Sequence, residues 1–302
     1  MSLLIGSHVS FNKDTQLLGS VKEAISYGST TFMFYTGAPQ NTKRCELSVN
    51  QTALAVNLMK ENNIDINNVI VHAPYIINLG NNSKKESYDF SINFLKQELK
   101  RCETLGIKYL VLHPGSHVNL GVQTALDNIV FALKEVLKKE TYTNILIETM
   151  AGKGTEVGTD IDQIKYIIDN VNSKNLMVCL DTCHLNDSGV DISKFDEYLD
   201  LFDQKIGIDK IGCVHVNDSM NEIGARKDRH ANIGFGKIGF DSLINVIYNK
   251  RLENVSKILE TPYITENDDS KKRVYPPYKE EIEMIKNKKF NSNMISEIRS
   301  KN

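Results

Sequence analysis

The chain has 302 residues, 41% of them hydrophobic and 25% charged, with a formal net charge of −2. That length suits a single barrel of roughly 250 residues plus additions, and no apolar run reaches the ~18 residues of a membrane span. The near-neutral charge gives no general attraction to nucleic acid, although it leaves room for a local basic rim. Five cysteines, an odd number with no C-x-x-C pair, point to free thiols in a reducing compartment rather than to a disulfide scaffold or a cysteine-built zinc site. The N-terminal MSLLIGSHVSFNKD lacks a basic segment followed by an apolar stretch. A cytoplasmic protein with no membrane attachment is expected.

In chain order, short β-branched runs recur, each ending in a polar residue and followed by a helical segment. The runs are LLIGSHV (3–9), TTFMFYT (30–36), NVIVHAP (68–74), KYLVLHPG (108–115), NILIETM (144–150), LMVCLDT (176–182), KIGCVHVND (210–218) and SKILETP (256–262). Segments 83–106 and 124–140 carry apolar residues at helical spacing. Buried strands alternating with helices predict a parallel sheet, and eight such units favour a closed (β/α)8 TIM barrel over an open doubly wound sheet. The expectation is an α/β chain in which 1–302 form a single domain. Its tail after Pro262 reads as a loop and one C-terminal helix over 278–289.

Barrel active sites are built where the strands end. The third to eighth runs end in His72, His113, Glu148, Asp181, His215 and Glu260, all side chains able to bind a metal. His184 follows Asp181 by three residues, and Asp228-Arg229-His230 stands in the loop after the seventh run. A lone histidine or carboxylate at a strand end is usually a hydrogen-bonded structural residue or a helix cap. Convergence argues otherwise, because so many ionisable groups packed together need a cation or a hydrogen-bond network to offset their desolvation. Nitrogen and carboxylate oxygen suit zinc or manganese. Nine ligand-type groups exceed the four or five that one zinc takes, so two or three ions are implied. Asp228 and His230, on one side of an extended segment, form a natural chelate that His184 could complete. The other six remain for two closer ions.

Other residues read as structural. Cys179 and Cys213 alternate as core residues, and Cys183 is expected to point away from the ligands on an extended segment. His8 and His117 adjoin the site without being assigned to it. The glycines of GKG (152–154) and GFGKIG (234–239) lack the context of a phosphate loop and serve tight turns at the rim.

The chain resembles the endonuclease IV family of apurinic/apyrimidinic endonucleases over nearly its full length. The motifs that carry the resemblance are GSHVS (6–10), YTGAPQNT (35–42), HAPYIINL (72–79), LHPGSH (112–117), ETMAGKGTEVG (148–158), DTCH (181–184), HVNDS (215–219), KDRHANIG (227–234), ILETP (258–262) and PPYK (276–279). The resemblance implies a (β/α)8 barrel with three zinc ions, manganese being able to occupy some sites. It implies that His72, His113 and Glu148 hold the first ion. Glu148, the catalytic bridge, then joins Asp181, His215 and Glu260 on the second, and His184, Asp228 and His230 hold the third. It implies a monomeric DNA repair enzyme that cuts 5′ to an abasic site in duplex DNA, leaving a 3′-hydroxyl and a 5′-deoxyribose phosphate, and that trims blocked 3′ ends. Tyr75 matches the aromatic residue that the family inserts at the lesion. The basic partner falls at Lys43 or Arg44, in a loop that aligns ambiguously. The competing reading is a single-metal sugar isomerase or epimerase on the same barrel, which would use Glu148, Asp181, His215 and Glu260 and leave five ligands without a task.

Overall fold

The computed structural model describes residues 3–301; residues 1, 2 and 302 of the expected domain lie outside the described residues. Eight strands coincide with the eight sequence runs: β1 (Ile5–Ser7), β2 (Met33–Phe34), β3 (Ile70–His72), β4 (Tyr109–Leu112), β5 (Asn144–Glu148), β6 (Leu176–Asp181), β7 (Ile211–His215) and β8 (Ser256–Leu259). They pair in parallel in the order β1-β8-β7-β6-β5-β4-β3-β2. A parallel bridge between His8 and Met33 joins the two ends of that order, so the sheet closes almost completely into a barrel. Each strand is short and apolar because both of its faces are covered.

Helices surround the barrel, and a large apolar layer lies between them and the strands. The helix expected over 83–106 spans Lys85–Leu105 and stops at Gly106, whose φ of 74° suits glycine. The one expected over 124–140 spans Val122–Val136. Among the described residues, no helix is long and apolar enough to cross a membrane.

The tail departs from expectation. After Pro262 come a small antiparallel hairpin, Ile264–Thr265 with Arg273–Tyr275, and two helices, Tyr278–Asn287 and Met294–Ser300. The second helix has seven residues and buries Met294 and Ile298, which is too little periodicity to stand out from its polar surroundings. Arg299 ties it to the hairpin by donating to the Thr265 carbonyl at 2.9 Å.

Candidate metal centre at the carboxyl end of the barrel

Side chains alternate along a strand, so the barrel interior is built in layers. The lower layer is Met33, Ile70, Val111, Leu146, Cys179, Cys213 and Ile258, all fully buried. Two residues further along the same strands stand Tyr35, His72, His113, Glu148, Asp181, His215 and Glu260. All six expected strand-end residues therefore share one level, with an apolar floor beneath. His113 and Glu260 lie one residue beyond β4 and β8. β1 adds His8, whose ring centroid is 4.8 Å from that of Tyr35. Burial pushes His8 down to about 4, so it stands neutral beside the cluster.

Glu148 is the hub. Its Oε2 lies 3.2 Å from His72 Nε2 and 3.0 Å from His113 Nε2, and its Oε1 lies 3.0 Å from His215 Nδ1. His215 Nδ1 is also 3.0 Å from Glu260 Oε2 and 3.8 Å from Asp181 Oδ2. On the far side, Asp228 Oδ1 lies 3.2 Å from His184 Nε2 and 3.5 Å from His230 Nε2, while His230 Nε2 is 3.9 Å from Asp181 Oδ2. Two ligands bound to one tetrahedral zinc at ~2.1 Å lie about 3.4 Å apart. Spacings of 3.0–3.9 Å thus suit a shared cation.

The electrostatics agree. Burial works against the charge of Glu148, yet the His215 and His113 rings hold its carboxyl well below the usual carboxylate range. Burial likewise opposes a charged His184, but Asp181, Asp228 and Glu148 outweigh it and push the ring well above the ordinary histidine value. The carboxylates draw positive charge into the centre.

Ligand atoms lie within 4.8 Å of one another in His72, His113, Glu148; in Glu148, Asp181, His215, Glu260; and in Asp181, His184, His230. Asp228 gathers with His230 and Cys183. The ring nitrogens are oriented from behind, as is usual for metal-binding histidines. His72 Nδ1 meets the Ala73 carbonyl at 2.7 Å, His184 Nδ1 that of Thr149 at 2.9 Å, and His230 Nδ1 that of Glu260 at 3.2 Å. Their Nε2 atoms face the centre. Among the described residues, His230 Nε2 and His215 Nε2 are buried with no hydrogen-bond partner. A nitrogen–oxygen donor set, tight spacing and an orphaned Nε2 on His230 fit divalent cations.

Two expectations need correction. Cys183 does not sit on an extended segment: Thr182–Ser188 is a helix, capped where Asp181 Oδ1 accepts the His184 N–H at 2.8 Å. The turn brings the Cys183 sulfur beside Asp228 and His230. Nor is Asp228-x-His230 plainly extended, because Asp228 has a φ of 54°.

The rim residues divide. Tyr75 is 54% exposed and packs its ring against Tyr35, His72 and His113 at 5.6, 5.8 and 5.4 Å. It borders a cavity of about 480 Å³ that also touches Lys153, His184, Asp228 and Glu260. Lys43 is exposed. Arg44 departs from the expectation of a DNA contact. Its Nε donates to Glu98 Oε1 at 2.6 Å, its guanidinium lies 4.9 Å from the Phe94 ring centroid, and only 3% of the side chain is exposed.

Sequence reasoning missed the groups that brace the candidate ligands and the loops around them. Asn217 donates to Asp181 Oδ2 at 2.7 Å and accepts the Glu260 N–H at 2.8 Å. Asp187 braces the loop that carries Asp228. Asp218 Oδ2 accepts the N–H groups of Gly234 and Gly236, each at 3.0 Å, and a Cβ on Gly236 would lie 2.4 Å from this carboxylate. The motif HVNDS contained two of these residues, but Asn217 is not a ligand by type and the Asp218 carboxylate is taken up by backbone N–H groups.

The family described as xylose isomerase-like TIM barrel matches residues 21–288. A protein of Enterococcus faecalis named "Probable endonuclease 4" is 49% identical over 302 residues, covering 99% of this chain and all of the relative. One of the same name from Bacillus cytotoxicus is 48% identical, covering 98% and 99%. Among solved structures, endonuclease IV from Thermus thermophilus superposes with a TM-score of 0.75 at 29% identity, over 85% of this chain and 92% of that one. A D-tagatose 3-epimerase-like protein reaches 0.66 at 18% identity, a likeness of fold alone.

Proposed function

The chain belongs to the endonuclease IV family of apurinic/apyrimidinic endonucleases, and from that premise we propose that it hydrolyses the phosphodiester 5′ to an abasic site in duplex DNA at a trinuclear zinc centre. The products would be a 3′-hydroxyl and a 5′-deoxyribose phosphate, and the same centre would clear blocked 3′ ends. The observation that carries the reading is the position of Glu148, whose two oxygens face different histidines. Such a carboxylate can span two ions, with His72 and His113 on one and Asp181, His215 and Glu260 on the other. His184, Asp228 and His230 would hold the third.

Bound divalent ions supply Lewis-acid charge to the phosphate oxygens. The chain's own residues do the rest. Glu148 fixes the spacing within the centre, and the carbonyls behind His72, His184 and His230 lock those rings in place. Tyr75, exposed at the mouth, would fill the gap in the base stack. Lys43, on the rim, would meet a phosphate and add affinity without sequence preference. Selectivity would come from flipping, because a sugar without a base unstacks at little cost. We read residues 1–302 as one domain acting as a monomer. A single-metal isomerase would have no use for His72, His113, His184, Asp228 and His230.

Elemental analysis of the purified protein, combined with incision of a duplex bearing one abasic site, tests the reading. About three zinc ions per chain and a nick leaving a 3′-hydroxyl are expected. One ion per chain and no incision would overturn it.

A further inference from the structure

Three histidines of the centre are held alike, with Nε2 toward the ligands and Nδ1 against a backbone carbonyl. His215 is turned the other way. Its Nδ1 faces Glu148 and Glu260, which leaves Nε2 as the outer nitrogen. Nε2 is fully buried and, among the described residues, has no hydrogen-bond partner. To ligate through Nδ1, the ring must carry its proton on Nε2, and that N–H then needs an acceptor.

The floor beneath the ligands carries two groups able to accept it. Of the seven lower-layer side chains, Met33, Ile70, Val111, Leu146 and Ile258 are wholly apolar or hold only a thioether, and two are thiols, Cys179 and Cys213. They stand two residues before Asp181 and His215 and face each other as register partners on β6 and β7. Their sulfurs and a ring nitrogen of His215 lie within 4.8 Å of one another, all fully buried. The Cys179 thiol points toward the Leu180 carbonyl at 3.9 Å, so its sulfur lone pairs are free to accept.

We propose that the Cys179–Cys213 pair accepts the Nε2–H of His215 and thereby holds that ring in the tautomer whose Nδ1 ligates a cation. The two cysteines are positioning residues of the metal centre. They play the part that backbone carbonyls play for His72, His184 and His230. This rests on the metal-centre reading above.

The test compares the native protein with the double variants Cys179→Ala/Cys213→Ala and Cys179→Ser/Cys213→Ser. Three quantities are read for each: zinc affinity by stepwise chelator competition, the His215 tautomer by long-range proton–nitrogen spectra, and thermal unfolding of the metal-free protein. Loss of the partner of a ligating histidine weakens metal binding by about 10–100-fold. The alanine pair is expected to lose that much at one ion and to show a mixture of His215 tautomers. The serine pair keeps an acceptor and is expected to retain the Nε2–H tautomer and near-native affinity. Unfolding of the metal-free forms reports packing, which a purely structural role would change while the tautomer stayed fixed. An alanine pair with native affinity and an unaltered tautomer overturns the proposal. A native protein that binds no zinc tightly overturns the metal-centre reading itself, and this inference with it.

Discussion

The carboxylate of Asp187 accepts the backbone N–H of Asp228 at 2.9 Å, so a buried residue that touches no ligand atom of its own sets the position of one that does. Arg226 and Asp228 both adopt left-handed backbone, with φ of 51° and 54°, which costs a non-glycine residue roughly 1–2 kcal/mol each. The Asp187 carboxylate holds Asp228 there, and the Asp187 backbone carbonyl accepts the Arg226 N–H at 2.9 Å. The carboxylate also accepts from Ser219 Oγ at 2.6 Å and from Asn221 Nδ2 at 2.8 Å. In Asp187→Ala, the ion held by Asp228 should bind about 10–100-fold more weakly, and the ions at Glu148 should be retained. Stepwise chelation resolves the two classes. Unchanged release of every ion would show that the loop keeps its shape without Asp187.

Lys43 and Arg44 are neighbours with opposite fates, and their variants should separate cleanly. Arg44→Ala removes the ion-pair partner of the buried Glu98, which then keeps the Thr36 hydroxyl at 2.6 Å, so a loss of roughly 3 kcal/mol of stability is expected. Lys43→Ala should leave the melting temperature unchanged. It should weaken binding to abasic duplex and lower the slope of log affinity against log salt by about 1. The assignment fails if Arg44→Ala melts like the native protein while losing DNA affinity.

The barrel and its level of candidate ligands were legible because both follow from a period of two. A β-branched run places alternate residues inward, and its last inward position is the mouth; reading the ends of six runs was enough to find His72, His113, Glu148, Asp181, His215 and Glu260. What lay hidden depends on contacts distant in sequence. Arg44 turns inward because Glu98 waits 54 residues later. Asp187 and Asn217 act on backbone N–H groups and on other carboxylates, a task no spacing rule records. The helix Thr182–Ser188 was obscured because Asp181 is at once a strand end, a candidate ligand and a helix cap. The helix Met294–Ser300 was too short to announce itself.

Glu148→Ala should lower kcat by more than about 100-fold, beyond what losing a supporting partner of a ligand typically costs. The variant removes the side chain whose oxygens face both His113 and His215. A defect in kcat and kcat/KM together marks an interaction needed at the transition state, whereas a rise in KM alone marks lost substrate binding. Native kcat in zinc-replete buffer would refute the bridging role.

Tyr75→Ala should weaken binding to abasic duplex by roughly 1–3 kcal/mol, the usual worth of base–aromatic stacking. Zinc content and turnover of a small phosphodiester should be unchanged. The ring also packs on His72 and His113, so a supporting role makes a different forecast: zinc loss, with equal damage on both substrates. Measuring zinc and both activities on one preparation decides between them.

Glu281 gives the fold a pH dependence away from the centre. It is fully buried on the helix Tyr278–Asn287, where its Oε1 accepts the Ile233 N–H at 2.9 Å and Asn232 Nδ2 at 3.1 Å. Burial pushes its carboxyl up to about 7, although the bonds from Thr261, Ile233 and Asn232 pull the other way. The folded state therefore holds a proton that the unfolded chain releases near the ordinary carboxylate value of about 4.3. Where the native state binds more protons, stability falls as pH rises. The contribution of Glu281 is complete below about pH 4 and is lost as pH climbs toward 7, by up to about 4 kcal/mol. Glu281→Gln keeps the shape and the acceptor oxygen and has no proton to lose. Its stability relative to the native protein should rise steadily from pH 4.5 to 7.5 and then level off. Denaturant unfolding of both proteins across that range isolates the effect, because titration of every other group cancels in the difference. A difference that stays constant with pH, or shrinks as pH rises, would show that Glu281 is charged in the native state throughout.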